Sequence, residues 1–144
     1  MKGADEMAKT VREAMTSKLC SIDTDKTVAY AAKMMRDEDV GIAPIIEGDR
    51  LVGVLTDRDI AVRVVAEGGD SEQTKVTDVM SRDLVTLDPD QDLDEALRLM
   101  ARHQVRRLPV VEEDGRLVGV VAQADVAEHA ADQQTGEVVE QISR

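Results

Sequence analysis

Leu51-Val52-Gly53-Val54-Leu55-Thr56-Asp57-Arg58-Asp59-Ile60 decides how the chain folds. Its first half is apolar and β-branched, as a buried strand requires. Its second half is polar, and an apolar run of Ile60, Val62, Val64 and Val65 follows. Thr or Asp ahead of such a run marks a helix start. The stretch therefore predicts a strand over Leu51 to Leu55, a sharp turn, and a helix from about Asp57 to Ala66. At that turn the first helical N–H groups lack internal partners, and the helix dipole favours an anion. Thr56 adds a hydroxyl, and the Asp59 carboxylate can accept from two sugar hydroxyls. Two readings fit these residues: half of a nucleotide site, or a plain helix cap with a solvated Asp59.

The stretch occurs twice. Leu117-Val118-Gly119-Val120-Val121-Ala122-Gln123-Ala124-Asp125-Val126 repeats the strand, the glycine and the final acid. One constant shift also carries Met15 onto Met80, Leu19 onto Leu84, Ala31 onto Ala96, Met35 onto Met100 and Pro44 onto Pro109. The turn Glu112-Glu113-Asp114-Gly115 is one residue longer than Glu47-Gly48-Asp49, after which Arg50 pairs with Arg116 and Asp59 with Asp125. Two units of the same length and order make an internal repeat. Each reads strand, helix, strand, strand, helix, preceded by a short helix (Lys9 to Met15 in the first unit). Within the first, Leu19 to Ile22 is a strand that includes Cys20. A helix opens at Asp25 or Thr27, and Ile42 to Ile46 is a strand.

The predicted class is therefore α/β in the broad sense (α+β): two β-α-β-β-α repeats related by a pseudo-two-fold axis. The predicted divisions are a frayed N-terminus at 1–8, repeat one at 9–67, a linker at 68–74, repeat two at 75–131 and an amphipathic tail helix at 132–144. One repeat is too small to bury its sheet well; two together cover each other and create two equivalent clefts.

Composition narrows the function. Aromatics are 1% of the 144 residues, so the core must be Val, Leu, Ile, Ala and Met. The net charge of −12 argues against nucleic acid or an anionic membrane as partner, since both are bound through a basic face. The single cysteine, Cys20, leaves no intramolecular disulfide, reads as a buried inert thiol, and belongs to no zinc ligand pattern. With no secretory leader and no apolar run of bilayer length, the expected location is the cytoplasm. His103 reads as a helix-end residue and His129 as a solvated one. The methionines, Met15, Met34, Met35, Met80 and Met100, read as core fillers. No nucleophile and base pair up, so no catalysis is expected.

These residues resemble the CBS domain, and the chain is similar to a tandem CBS pair, or Bateman module. The resemblance runs from about Val11 to Ala131. It rests on Met15-Thr16, on Gly53 to Ile60, on His103-Gln104-Val105-Arg106-Arg107-Leu108-Pro109-Val110, and on their counterparts in the other repeat. Small stand-alone bacterial CBS pairs, the hypoxic response protein type among them, are especially similar. The resemblance implies regulatory binding of an adenine nucleotide, AMP, ADP or ATP, in the cleft between repeats, with Mg²⁺ dependence left open. Carried over by position, Thr56 and Asp59 serve phosphate and ribose, with Arg58 beside them. Arg106 and Arg107 hold the phosphates, and Val105, Leu84 and Val85 flank the base. Paired arginines suit phosphate because each offers a rigid fork of donors. Asp125 marks a weaker second site, because Ala122 replaces the hydroxyl and Gly41 and Ile42 stand where the arginines would be.

A homodimer is expected, through helix faces carrying Val28, Ala32, Met35, Leu93, Leu97 and Met100, together with a downstream protein partner that the sequence does not name. The alternative to a nucleotide sensor is a structural dimerisation module without nucleotide affinity.

Overall fold

The computed structural model describes residues 10–17 and 20–127. The expectations for the N-terminus at 1–8, the tail helix at 132–144 and His129 fall outside those residues. In chain order the elements are α1 (Val11–Ala14), β1 (Ile22–Asp23), α2 (Val28–Glu38), β2 (Ile42–Glu47), β3 (Arg50–Thr56), α3 (Asp57–Ile60), a π-helical turn (Ala61–Val65), α4 (Val76–Val79), α5 (Leu93–His103), β4 (Arg107–Val111), β5 (Leu117–Ala122) and α6 over 123–127. The mixed class expected from the repeats is what forms.

The elements gather into two compact units. The first contains Cys20–Leu84 and Asp114–Leu117. Its sheet has the order β1-β2-β3, with β1 parallel and β3 antiparallel to β2. Proline has no N–H to give, yet Pro44 sits in the central strand opposite Val54. The sheet tolerates it because Val54 turns both its backbone groups away, exchanging hydrogen bonds of 3.0 and 2.8 Å with Ser81. The Gly48 turn between β2 and β3 has φ +69°, a conformation glycine adopts without strain. Val28, Ala31 and Met35 of α2 pack onto the sheet residues Ile22, Ala43, Ile45 and Leu55. Thr27 caps α2 by accepting from the Tyr30 amide, and the Val28 and Ala29 amides donate to Thr74 and Ser71 in the 68–74 segment.

Val76, Val79 and Met80 complete this core, although by sequence they lead into the second repeat. The second unit mirrors the arrangement. Its core joins Leu87, Leu93, Ala96, Met100, Leu108, Val110, Val121 and Val126 to Val11 and Ala14, which lead into the first repeat. The short leading helices are thus exchanged between repeats. Each is stitched in by the backbone: Val76 donates to Lys26 O, and Val11 and Arg12 donate to Gln91 O and Pro89 O.

The exchange explains the repeated glycine and methionine. A Cβ at Gly53 would fall 2.5 Å from Met80 Sδ and 3.0 Å from the Ser81 carbonyl. A Cβ at Gly119 would fall 2.6 Å from Met15 Sδ and 3.1 Å from the Thr16 carbonyl. In each strand the missing side chain makes room for the methionine that ends the exchanged helix, while the next residue pairs with the strand (Ser81 with Val54, Thr16 with Val120). Met35, Met80 and Met100 are buried, and Met15 and Met34 pack partly buried against the cores.

Three expectations need correction. Leu19 falls outside the described residues, and among those described the strand expected over Leu19 to Ile22 is Ile22–Asp23, which pair with β2; Cys20 lies before it, half-buried. Its counterpart in the second unit is a single bridge, Leu87 to Val110. The faces expected to carry a dimer are largely used inside each unit: Val28, Met35, Leu93 and Met100 are buried in their own cores, and Ala32 and Leu97 are half-buried. Among the described residues the exposed large apolar side chains are instead Tyr30, Val62, Val65 and Val105, at 42%, 47%, 69% and 37% exposure.

Candidate functional site

β3 ends at Thr56, and the helix begins at once. Thr56 is extended (φ −111°, ψ 160°) and is the cap residue. Its Oγ1 accepts from the Asp59 amide at 3.0 Å, and Asp59 Oδ2 accepts from the Thr56 amide at 3.0 Å. This is a complete capping box, with a threonine and an acid three residues apart satisfying each other's backbone donors. The other early amides also have partners. Asp57 N donates to Gly41 O at 2.9 Å, and Arg58 N donates to Asp57 Oδ1 at 2.8 Å. The helix-start amides expected to receive a phosphate are therefore engaged within the protein. Arg58 itself is exposed.

Asp59 keeps one oxygen outside the box. Its side chain is 16% exposed, and Oδ1 lies 3.9 Å from Arg63 Nε. Arg63 extends further, donating from Nη1 to Val79 O at 3.1 Å. The π-helical turn, closed by the Ala66 amide on Ala61 O, holds Arg63 at the surface while Val64 enters the core.

In the second unit the same junction is half built. The Ala122 amide donates to Asp125 Oδ2 at 3.2 Å, but Ala122 has no hydroxyl to return to Asp125. Gln123 N donates to Arg106 O at 2.7 Å, matching the Asp57–Gly41 bond of the first unit. Arg106 is exposed, Arg107 is half-buried at the start of β4, and the Val105 amide donates to Met100 O. Thr56, Arg58 and Asp59 thus share one junction in the first unit. Val105, Arg106, Arg107 and Asp125 lie around the other. Leu84 belongs to the first unit and Val85 to the second, both half-buried.

Sequence reasoning did not single out Arg63, nor the contact between Asp57 and Gly41. The Asp57 carboxylate lies over Gly41, where a Cβ would be 3.1 Å from its Oδ2. The spacing of Arg63 four residues after Asp59 was the available signal, since such pairs share a helix face. His103 ends α5. Among the described residues no group of three or more His, Cys, Asp or Glu could hold a metal ion.

The sequence model of the CBS domain matches residues 11–66 and 76–132. The chain belongs to the CBS domain family. It is a tandem CBS pair, and two relatives match over most of their length. It is 44% identical over 118 residues to the CBS domain-containing protein YhcV of Bacillus subtilis, covering 82% of this chain and 83% of that one. It is 38% identical over 121 residues to hypoxic response protein 1 of Mycobacterium tuberculosis, covering 83% and 84%. The crystal structure of that protein type, solved with two coordinated zinc ions, superposes with a TM-score of 0.77 over 84% of this chain and 98% of that one. CBSX2, solved in complex with AMP, has a TM-score of 0.74 at 27% identity, covering 85% of this chain and 96% of that one.

Proposed function

We propose that this CBS pair is a non-catalytic regulatory module of the cytoplasm that binds one adenine nucleotide (AMP, ADP or ATP) through Thr56, Asp59, Arg106 and Arg107. Arg58 stands beside the motif, and Val105, Leu84 and Val85 flank the base. The observation that carries this reading is the unequal pair of junctions. Thr56 and Asp59 form a complete motif, whereas Ala122 leaves Asp125 with half of one. A structural neighbour that holds AMP supports the choice of ligand.

The chemistry divides as follows. Asp59 Oδ1, free of the box, accepts from a ribose hydroxyl. The amides of Asp57, Arg58 and Asp59 are engaged, so the phosphate charge falls to the arginine side chains, whose forks match phosphate oxygens. For ATP, Mg²⁺ would screen the extra charge that a chain of net charge −12 repels. Ligand binding biases the module between states only through contacts that differ between them, and a protein partner would read that bias.

Calorimetry with AMP and ATP tests the reading. Losing a charged hydrogen-bond partner weakens binding by roughly ten- to a hundredfold. Asp59→Ala should show such a loss, Arg106→Ala should weaken binding and blur the distinction between AMP and ATP, and Asp125→Ala should matter less. Wild-type protein that binds no adenine nucleotide at millimolar concentration overturns it.

The self-satisfied helix start favours a second reading, a dimerisation module without nucleotide affinity. In either case we propose a homodimer, now through Val62 and Val65 rather than through the faces buried in each core. A clean monomer mass by light scattering at micromolar concentration refutes the dimer.

A further inference from the structure

Arg63 touches two things that the proposed site depends on. One end faces the single Asp59 oxygen left outside the capping box, at 3.9 Å. The other donates to the carbonyl of Val79, the last residue of α4, at 3.1 Å. Directly after Val79, Met80 fills the space over Gly53 and Ser81 exchanges two backbone hydrogen bonds with Val54. Three residues further on is Leu84.

We infer that Arg63 is a positioning residue that ties the Thr56–Asp59 motif to the exchanged segment Val79–Leu84. The inference rests on the nucleotide reading above and extends it to how binding is transmitted. A guanidinium can serve both acceptors at once, because its donors diverge in a fixed fork. Its charge also offsets Asp59, whose partners in the box are neutral. A ribose hydroxyl arriving at Asp59 Oδ1 competes with Arg63 for that oxygen. The outcome of that competition is felt at Val79, because the same side chain holds its carbonyl. The coupling therefore has a physical carrier, one side chain with two partners, and its expected size is that of residues joining two sites. In the second repeat the position four residues after Asp125 is His129, so an arginine link of this kind is specific to the first repeat.

Hydrogen exchange at the Ser81 amide tests the link, with and without AMP, in wild type, Arg63→Gln and Arg63→Lys. Without ligand, Arg63→Gln should speed Ser81 exchange about three- to tenfold. With AMP, wild type should gain protection at Ser81, Arg63→Gln should lose that ligand-dependent gain, and Arg63→Lys should keep part of it. A purely structural role would change the ligand-free rate and leave the gain intact. Equal AMP-dependent protection in wild type and Arg63→Gln overturns the inference. If wild type binds no AMP, the nucleotide reading falls instead. The ligand-free comparison then decides the link alone: unchanged Ser81 exchange in Arg63→Gln overturns it.

Discussion

Thr56→Ala and Ala122→Thr exchange the hydroxyl between the two junctions and should move stability in opposite directions. In the first unit Thr56 Oγ1 is the side-chain acceptor for the Asp59 amide at 3.0 Å, at a half-buried position. Replacing a capping threonine by alanine costs about 1 kcal/mol, with a range of roughly 0.5–2. Partial burial, which limits replacement of the lost acceptor by water, places Thr56→Ala in the upper half of that range. At ~3 °C per kcal/mol for a chain of this size, the melting temperature should fall about 3–6 °C. Ala122 is half-buried as well, it ends β5 as Thr56 ends β3, and Asp125 already supplies its half of the box. Ala122→Thr should therefore stabilise by about 1 kcal/mol.

Urea denaturation without ligand, compared at constant m-value, reads both changes. A midpoint for Thr56→Ala equal to wild type would show that the hydroxyl is not capping. A lower midpoint for Ala122→Thr would show that the two junctions are not equivalent. The same pair separates capping from binding. Thr56→Ala should weaken AMP binding, whereas Ala122→Thr should leave the stoichiometry at one, because Gly41 and Ile42 still carry no charge in the register of the arginines.

Gly53→Ala and Gly119→Ala should each destabilise by about 1–3 kcal/mol through overpacking, read by urea denaturation, because the Ser81 and Thr16 carbonyls are pinned by the backbone and cannot withdraw. Gly41→Ala should stay within about 0.5 kcal/mol of wild type in the same assay, since only the tip of the exposed Asp57 side chain must yield; a loss as large as that of Gly53→Ala would refute the contrast. Burial first, and the Glu38 carboxylate second, push the Cys20 thiol above its ordinary value of 9.0. The folded state thus disfavours the thiolate, so stability falls as pH rises through the unfolded thiol's range; iodoacetamide at about pH 8.5 should alkylate native protein more slowly than urea-unfolded protein, and equal rates would refute this.

The repeat was legible because its punctuation is chemical. Gly53 and Gly119 leave room that Met80 and Met15 fill, a job few other residues can do, and Pro44 and Pro109 stand where the backbone amide is not needed. Which core each leading helix joins was not legible. Val11, Ala14 and Met15 offer a core the same apolar face as Val76, Val79 and Met80, so pattern alone fits either helix to either strand glycine. Backbone pairing of the residue after each methionine makes the assignment, and pairing partners leave no mark on composition. The opening strands were overread for a related reason. Leu19 to Ile22 is apolar enough for a strand, but a strand exists only where a neighbour offers hydrogen bonds, and β2 offers them at Ile45 and Ile46.

At the junction the capping box forms, and the proposed nucleotide reading rests on the same carboxylate. Thr56 and Asp59 stand in the spacing of a capping box, and they form one. That engages Oδ2 of Asp59 and one lone pair of Thr56 Oγ1, leaving the Thr56 O–H able to donate; the carboxylate's second oxygen, Oδ1, is met among the described residues by a long contact with a half-exposed arginine. A ligand hydroxyl at hydrogen-bond distance would outcompete an ion pair at 3.9 Å between partly solvated groups, since such pairs contribute ~0–1 kcal/mol. The cap therefore fixes the rotamer that presents Oδ1, and under the proposed nucleotide reading capping would preorganise Asp59 for a ribose hydroxyl rather than compete with that role. The phosphate end has no such preparation, because the engaged amides of Asp57, Arg58 and Asp59 offer an anion nothing without first losing a partner. If the proposed site holds, discrimination among AMP, ADP and ATP would come from side chains, so Arg106→Ala, more than any change at the helix start, should blur it in calorimetry.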